Sequence, residues 1–258
     1  MSCFNILLGC FCAILSFSCF SAECIILMSD STAVNYLGKS NPIAKTASWA
    51  PMAGWGQYAA DDALEKVTFI NRSGGGHSSK TYAESILPDA KKLFQQGGWL
   101  LLSFGSNDVR PNANFDRTTR PEDTYPLYLG KIADAASAAG MKVVIISPLP
   151  FFAMSEGRFY NSLLAPFAEA SKKLAADKKL YFIDAYSLIS GYFKDMPEMD
   201  IKSYYMYLKP GESANWPEGR DDPLHFTEKG ARLVWSLIRA SIDNEIPELA
   251  KLFKPALK

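Results

Sequence analysis

Cys24-Ile25-Ile26-Leu27-Met28, running directly into Ser29-Asp30-Ser31-Thr32, is the stretch on which the fold turns. Five apolar residues closed at once by polar ones read as a short buried strand, too brief for a helix. Working outward, four more short apolar runs read the same way, at 67–71, 99–104, 142–147 and 180–183. Longer amphipathic stretches alternate with them, and helices are expected over 57–64, 82–95, 126–139, 163–176 and 228–244. Gly97-Gly98 and Gly140 punctuate helix-to-strand junctions, as residues after a helix C-terminus often do. Five strand-then-helix units in succession imply an α/β fold: a five-stranded parallel sheet with helices on both faces. In such sheets sites form beyond the carboxyl ends of the strands, so those ends are where chemistry should be sought.

They are chemically rich. The first strand ends in Ser29-Asp30-Ser31-Thr32, which on its own suits a helix N-cap as well as a nucleophile. The second ends in Asn71 and runs through Arg72-Ser73-Gly74-Gly75-Gly76-His77, where glycines let backbone N–H groups approach an anion. A phosphate loop is the weaker reading, because the Gly-Lys-Ser/Thr ending is missing. The third ends in Gly105-Ser106-Asn107-Asp108. Asp221-Asp222-Pro223-Leu224-His225 precedes the last long helix, and a carboxylate three residues before a histidine can orient its ring.

In this order the four clusters resemble the four blocks of the SGNH (GDSL-like) hydrolases. The resemblance implies the three-layer α/β/α, flavodoxin-like fold of that group. It also implies Ser31 as nucleophile, Ser31, Gly76 and Asn107 as oxyanion donors, and Asp222 with His225 as the base pair. Gly54-Trp55-Gly56-Gln57, the run from Asn71 to Tyr82, Leu208-Lys209-Pro210-Gly211-Glu212, and His225-Phe226-Thr227 with Gly230-Ala231 resemble the rhamnogalacturonan acetylesterases in particular. Those enzymes deacetylate pectin, and the similarity spans most of residues 23–258. The chain departs from their pattern at Ser29, where glycine is usual, at Ser106, where histidine is common, and at Pro223-Leu224. This closer resemblance implies a serine esterase of acetylated polysaccharide. Trp55 and His77 are candidate substrate contacts, Trp55 reading equally well as a core or helix-start residue and His77 as a surface side chain. Esterases or lipases for other acylated glycans or lipids, and a non-catalytic carbohydrate-binding relative, are the alternatives.

Composition narrows the partners. The chain has 258 residues, and Lys+Arg equal Asp+Glu at 27 each, which argues against a nucleic-acid binder. With two histidines, and all five cysteines within the first 24 residues, neither a zinc site nor an intrachain disulfide in the folded domain is expected. No cofactor is implied. Residues 1–22 carry no Lys, Arg, Asp or Glu, and 6–22 is a run of apolar and small residues. This reads as a signal peptide, and implies a secreted or periplasmic monomer without stable membrane association. A lipid-modified Cys10 or Cys19 and an uncleaved anchor are the rival readings. Were the substrate polyanionic, Lys39, Lys80, Arg110 and Arg158 are the cations from which a local basic patch could be drawn.

Overall fold

A computed structural model describes residues 23–36, 49–114 and 116–255. The leader expected over 1–22, four of the five cysteines, and Lys39 fall outside the described residues.

The five expected strands form, as β1 (Cys24–Ser29), β2 (Thr68–Asn71), β3 (Trp99–Ser103), β4 (Lys142–Ile146) and β5 (Tyr181–Ile183). They pair in parallel in the order β2-β1-β3-β4-β5. Every residue of β1 is buried, which explains its unbroken apolar sequence: its two faces each need a hydrophobic side. Ile25 and Leu27 enter one core cluster with Trp55, Ile189, Val234 and Ile238. Cys24, Ile26 and Met28 enter the other, with Tyr82, Leu129, Ile132 and Phe167. Helices Trp55–Asp62, Ala185–Phe193 and Glu228–Glu245 therefore cover one face. Segment 79–93 with helices Thr124–Ala138 and Ala165–Lys178 covers the other, completing three layers. The chain places β2 on one side of β1 and β3 on the other, so a crevice opens where the strand order reverses.

Three features depart from the sequence reading. The helix expected over 82–95 is broken into short pieces, with a π turn at Tyr82–Ile86 followed by Leu87–Ala90 and a 3-10 turn at Lys91–Leu93. Pro88 has no N–H to donate and its ring crowds the carbonyl four residues back, so a regular helix cannot run through it. Helix Ala185–Phe193, capped by the Asp184 carboxylate at Ser187 N–H, stands where no helix was expected. The third departure matters most: Arg220–Thr227, where no strand was expected, is a strand. This strand, β7, pairs antiparallel with β6 (Tyr205–Leu208) and with the two-residue strand Met52–Ala53.

Candidate active site

The chain leaves β1 through Asp30 into a 3-10 turn, Ser31–Ala33. Asp30 is buried, and its Oδ1 accepts from Thr32 N at 2.9 Å and Thr32 Oγ1 at 2.7 Å, fixing the turn from beneath. Asn71 Nδ2 donates to Ala33 O at 2.8 Å and holds the far end of the turn. The N–H of Ser31 sits at the first position of this turn, where no intrahelical acceptor exists for it.

Gly54 and Gly56 explain how close the neighbouring helix lies. A Cβ at Gly54 would stand 2.1 Å from Val34 O, and one at Gly56 2.3 Å from Ala33 O. Both are backbone clashes, so these two positions must be glycine for helix Trp55–Asp62 to press on the Ser31 turn. Trp55 points the other way. It is fully buried and stacks on Trp235 with ring centroids 6.3 Å apart. Of the two readings of Trp55, sugar platform and core residue, its burial selects the core, so the substrate contact is corrected.

His225 is delivered by a bulge. Asp222 pairs with Met206 and Phe226 with Tyr205, so Pro223, Leu224 and His225 are extra residues on β7. A bulge of this kind bends a strand and re-aims a side chain. Here it brings His225 Nε2 to 2.9 Å from Ser31 Oγ, while Nδ1 lies 2.8 Å from Asp222 Oδ2. The other Asp222 oxygen accepts the backbone N–H groups of Leu224 at 2.9 Å and His225 at 3.1 Å, which clamps the bulge. Arg220 adds Nε and Nη2 to Asp222 Oδ2 at 3.1 and 2.5 Å. Burial pushes the Asp222 carboxyl up, but the bonds and charge of His225 and the bonds from Arg220 outweigh it and hold the group well below the usual carboxylate range. An ionised carboxylate can only accept, so Nδ1 must carry the imidazole proton and Nε2 is left to accept from Ser31. Asp221, one residue earlier, is exposed.

Gly76 and Asn107 line the same cleft. Gly76 has φ +78°, a backbone region that side chains rarely adopt. Asn107 Nδ2 donates one hydrogen to His77 O at 2.9 Å, leaving the second for the cleft. The His77 ring, by contrast, is not part of the cleft wall. It lies over Gly74 and edge-on to Tyr82, with centroids 6.0 Å apart, and burial pushes it below its ordinary value. What this residue gives the cleft itself is its carbonyl, the acceptor for Asn107.

Several residues here had no role in the sequence reading. Asp108, fully buried, accepts from Ser79 N, from Ser79 Oγ at 2.5 Å and from Thr119 Oγ1 at 2.8 Å, tying three loops together under Asn107. Burial raises it to about 6, against the pull of those bonds. Tyr36 donates its hydroxyl to Ser31 O at 2.9 Å and packs edge-on to His225. Beyond it Trp49 and Trp216 continue a row of rings at 6.0 and 5.8 Å. Trp49 lines the cleft, which holds about 370 Å³ and has Arg110, Arg117 and Arg220 in its wall. Of the other cations singled out, Lys80 is paired with Asp116, and Arg158 lies on a separate hairpin outside the cleft wall. No group of residues suited to holding a metal occurs among the described residues.

A buried Asp, a His and a Ser in contact at the end of β1 of a parallel sheet are the arrangement of an acyl-transferring hydrolase. The family model described as GDSL-like Lipase/Acylhydrolase matches residues 30–233, and the chain belongs to that family, an SGNH hydrolase and a carboxylic ester hydrolase. Within it, the chain is similar to two proteins of Bacillus subtilis. Rhamnogalacturonan acetylesterase RhgT is 30% identical over 195 residues, 75% of this chain and 82% of that protein. Probable rhamnogalacturonan acetylesterase YesY is 30% identical over 222 residues, 86% of this chain and 93% of that protein. Among solved structures, the B. subtilis protein YXIM shares the fold with a TM-score of 0.68 at 22% identity over 87% of this chain. This chain spans 57% of that protein's length.

Proposed function

We propose that this chain is an exported acetylesterase that removes acetyl groups from rhamnogalacturonan or related pectic polymer through an acetyl-enzyme on Ser31. The continuous line from Asp222 Oδ2 through His225 to Ser31 Oγ is the observation that carries the reading. His225 Nε2 takes the Ser31 proton as Oγ attacks the acetyl carbonyl, and Asp222 steadies the imidazolium that forms. The N–H groups of Ser31 and Gly76 and the free Asn107 amide hydrogen receive the oxyanion. His225 then returns the proton to the departing sugar oxygen. Water, deprotonated by the same nitrogen, cleaves the acetyl-enzyme and releases acetate. Trp49, beside Tyr36 in the cleft wall, offers the sugar a ring face in place of Trp55. The substrate class is supported by the two relatives that are 30% identical over three quarters or more of the chain. Export is supported by the uncharged apolar stretch at 1–22.

The deciding assay measures acetate released from acetylated rhamnogalacturonan, acetylated xylan and long-chain acyl esters. Release from the pectic polymer should exceed the other two. A preference for long acyl chains would overturn the substrate, and N-terminal sequencing that finds Met1 on the cell-purified protein would overturn export.

A further inference from the structure

The catalytic cleft is basic although the chain as a whole is neutral. Its described wall contains Arg110, Arg117 and Arg220 and no carboxylate. Arg220 is accounted for by Asp222 and by stacking over the Trp216 ring at 4.2 Å. The other two are not. Neither Arg110 nor Arg117 takes part in an ion pair among the described residues, whereas Arg120, Arg232 and Arg239 all do.

Arg117 uses two of its five N–H groups on the protein, donating Nε to Arg110 O at 2.8 Å and Nη1 to Gly76 O at 3.2 Å. The Arg110 guanidinium lies over the face of Phe151, at 5.7 Å, and makes no side-chain hydrogen bond among the described residues. Both belong to the Gly76–Asn107 side of the cleft, since Arg110 N also bonds Asn107 O at 3.3 Å. Partial burial and the neighbouring Arg110 charge push the Arg117 guanidinium below its ordinary value, against the pull of the Asp108 and Asp30 carboxylates. Two guanidiniums with hydrogens to spare, beside an acyl site and outside any ion pair among the described residues, fit a planar carboxylate that accepts in pairs.

We infer that Arg110 and Arg117 form a carboxylate-binding subsite that takes the uronate carboxylate of the acetylated glycan. The inference rests on the esterase reading of the cleft and names the feature of the polymer that this wall selects. Uronate recognition would let the enzyme place an acetylated acidic sugar with its ester toward Ser31 and reject the neutral glycan carrying the same ester.

The test is calorimetric binding of unacetylated oligogalacturonate, and of its fully methyl-esterified form, to the unmodified full chain and to Arg110→Gln. Neither ligand carries an acetyl group, so the measurement does not depend on turnover. The acid form should bind at least about tenfold tighter than the ester, and the preference should shrink as salt rises. Arg110→Gln should lose most of that preference and keep the weaker binding of the ester, with its melting temperature in place. Arg110→Lys, which keeps the charge without the fork, should fall between them. Equal binding of acid and ester by the unmodified chain, or no binding of either, would overturn the subsite. So would a preference that survives in Arg110→Gln. If the preference holds but acetylated pectin yields no acetate, the substrate reading fails and the subsite stands.

Discussion

Arg220 and His225 meet on one atom: Nη2 of the first and Nδ1 of the second lie 2.5 and 2.8 Å from the same Asp222 Oδ2. Since the remaining oxygen is filled by two backbone N–H groups, the carboxylate has little freedom to turn. Asp222→Asn would place an amide where two cationic or N–H donors converge, and would turn the imidazole toward the wrong tautomer. A loss of about 10³–10⁴ in kcat is expected. Asp221→Asn, on the exposed face of β7, should leave kcat near wild type and change stability by less than about 0.5 kcal/mol. Should Asp221→Asn be the crippling change, the orienting carboxylate is misassigned.

Ser31→Ala should abolish esterase activity with little loss of stability, within about 1 kcal/mol. Ser29 is no substitute, because it is fully buried beneath the turn. Asn107→Ala should lower kcat by about 10²–10³ through loss of one oxyanion donor. Esterase kinetics and denaturant unfolding of the same preparations decide both points, and residual Ser31→Ala turnover above one part in about a hundred would move the nucleophile elsewhere.

The Gly-Trp-Gly stretch makes a sharper contrast. Gly56→Ala forces a methyl into Ala33 O, so both stability and kcat should fall, the former by about 1–3 kcal/mol. Trp55→Phe should cost stability through lost packing on Trp235 and leave KM for polymer unchanged. Trp49→Ala should do the opposite, raising KM for polymer with the fold intact. A KM effect from Trp55→Phe with none from Trp49→Ala would reverse the assignment of the sugar-facing ring.

The blocks that carry the chemistry were legible through their order and family resemblance, three of them following expected strands; locally each also fitted a cap or a turn. The five central strands were legible as short apolar runs, the clearest being Cys24 to Met28, which is buried on both faces. The bulged strand was not. Arg220-Asp221-Asp222-Pro223 has a charged and proline-containing sequence that reads as a turn, and only pairing with Tyr205–Leu208 makes it extended. Trp55 stayed open between core and sugar platform because only the packing of Gly54 and Gly56 on residues 33 and 34 fixes which way the helix faces. The arginines at 110 and 117 lie in a loop with no periodic pattern, so nothing local announces that they share a wall with Ser31.

Asp108 gives a pH dependence whose sign can be worked out. Its carboxyl holds a proton up to about 6 in the folded protein, against about 3.9 when unfolded. Between those values the folded state binds more protons, so this group's contribution to stability falls as pH rises, by about 2–3 kcal/mol in all. Asp222, held below the usual range, works oppositely: its contribution is present above the ordinary carboxylate pKa and is lost as pH falls toward and through the depressed one. Urea unfolding of wild type and Asp108→Asn at pH 4, 5, 6 and 7 isolates the first effect. The wild-type advantage over Asp108→Asn should shrink across that series, and parallel profiles would refute the assignment.

The nucleophile and its base are 194 residues apart in sequence, one at the end of the first strand and the other on the last. Synthesis runs from the first to the second, so Ser31 emerges long before His225 is translated. A growing chain therefore carries a complete acyl-accepting turn with no group to take its proton. It also lacks helix Glu228–Glu245, which covers one face of the sheet. Hydrolytic competence therefore depends on the pairing of β7 with β6, since the bulge in β7 carries the imidazole. A truncation between β5 and His225 leaves a polypeptide that keeps its serine and lacks the group that would activate it.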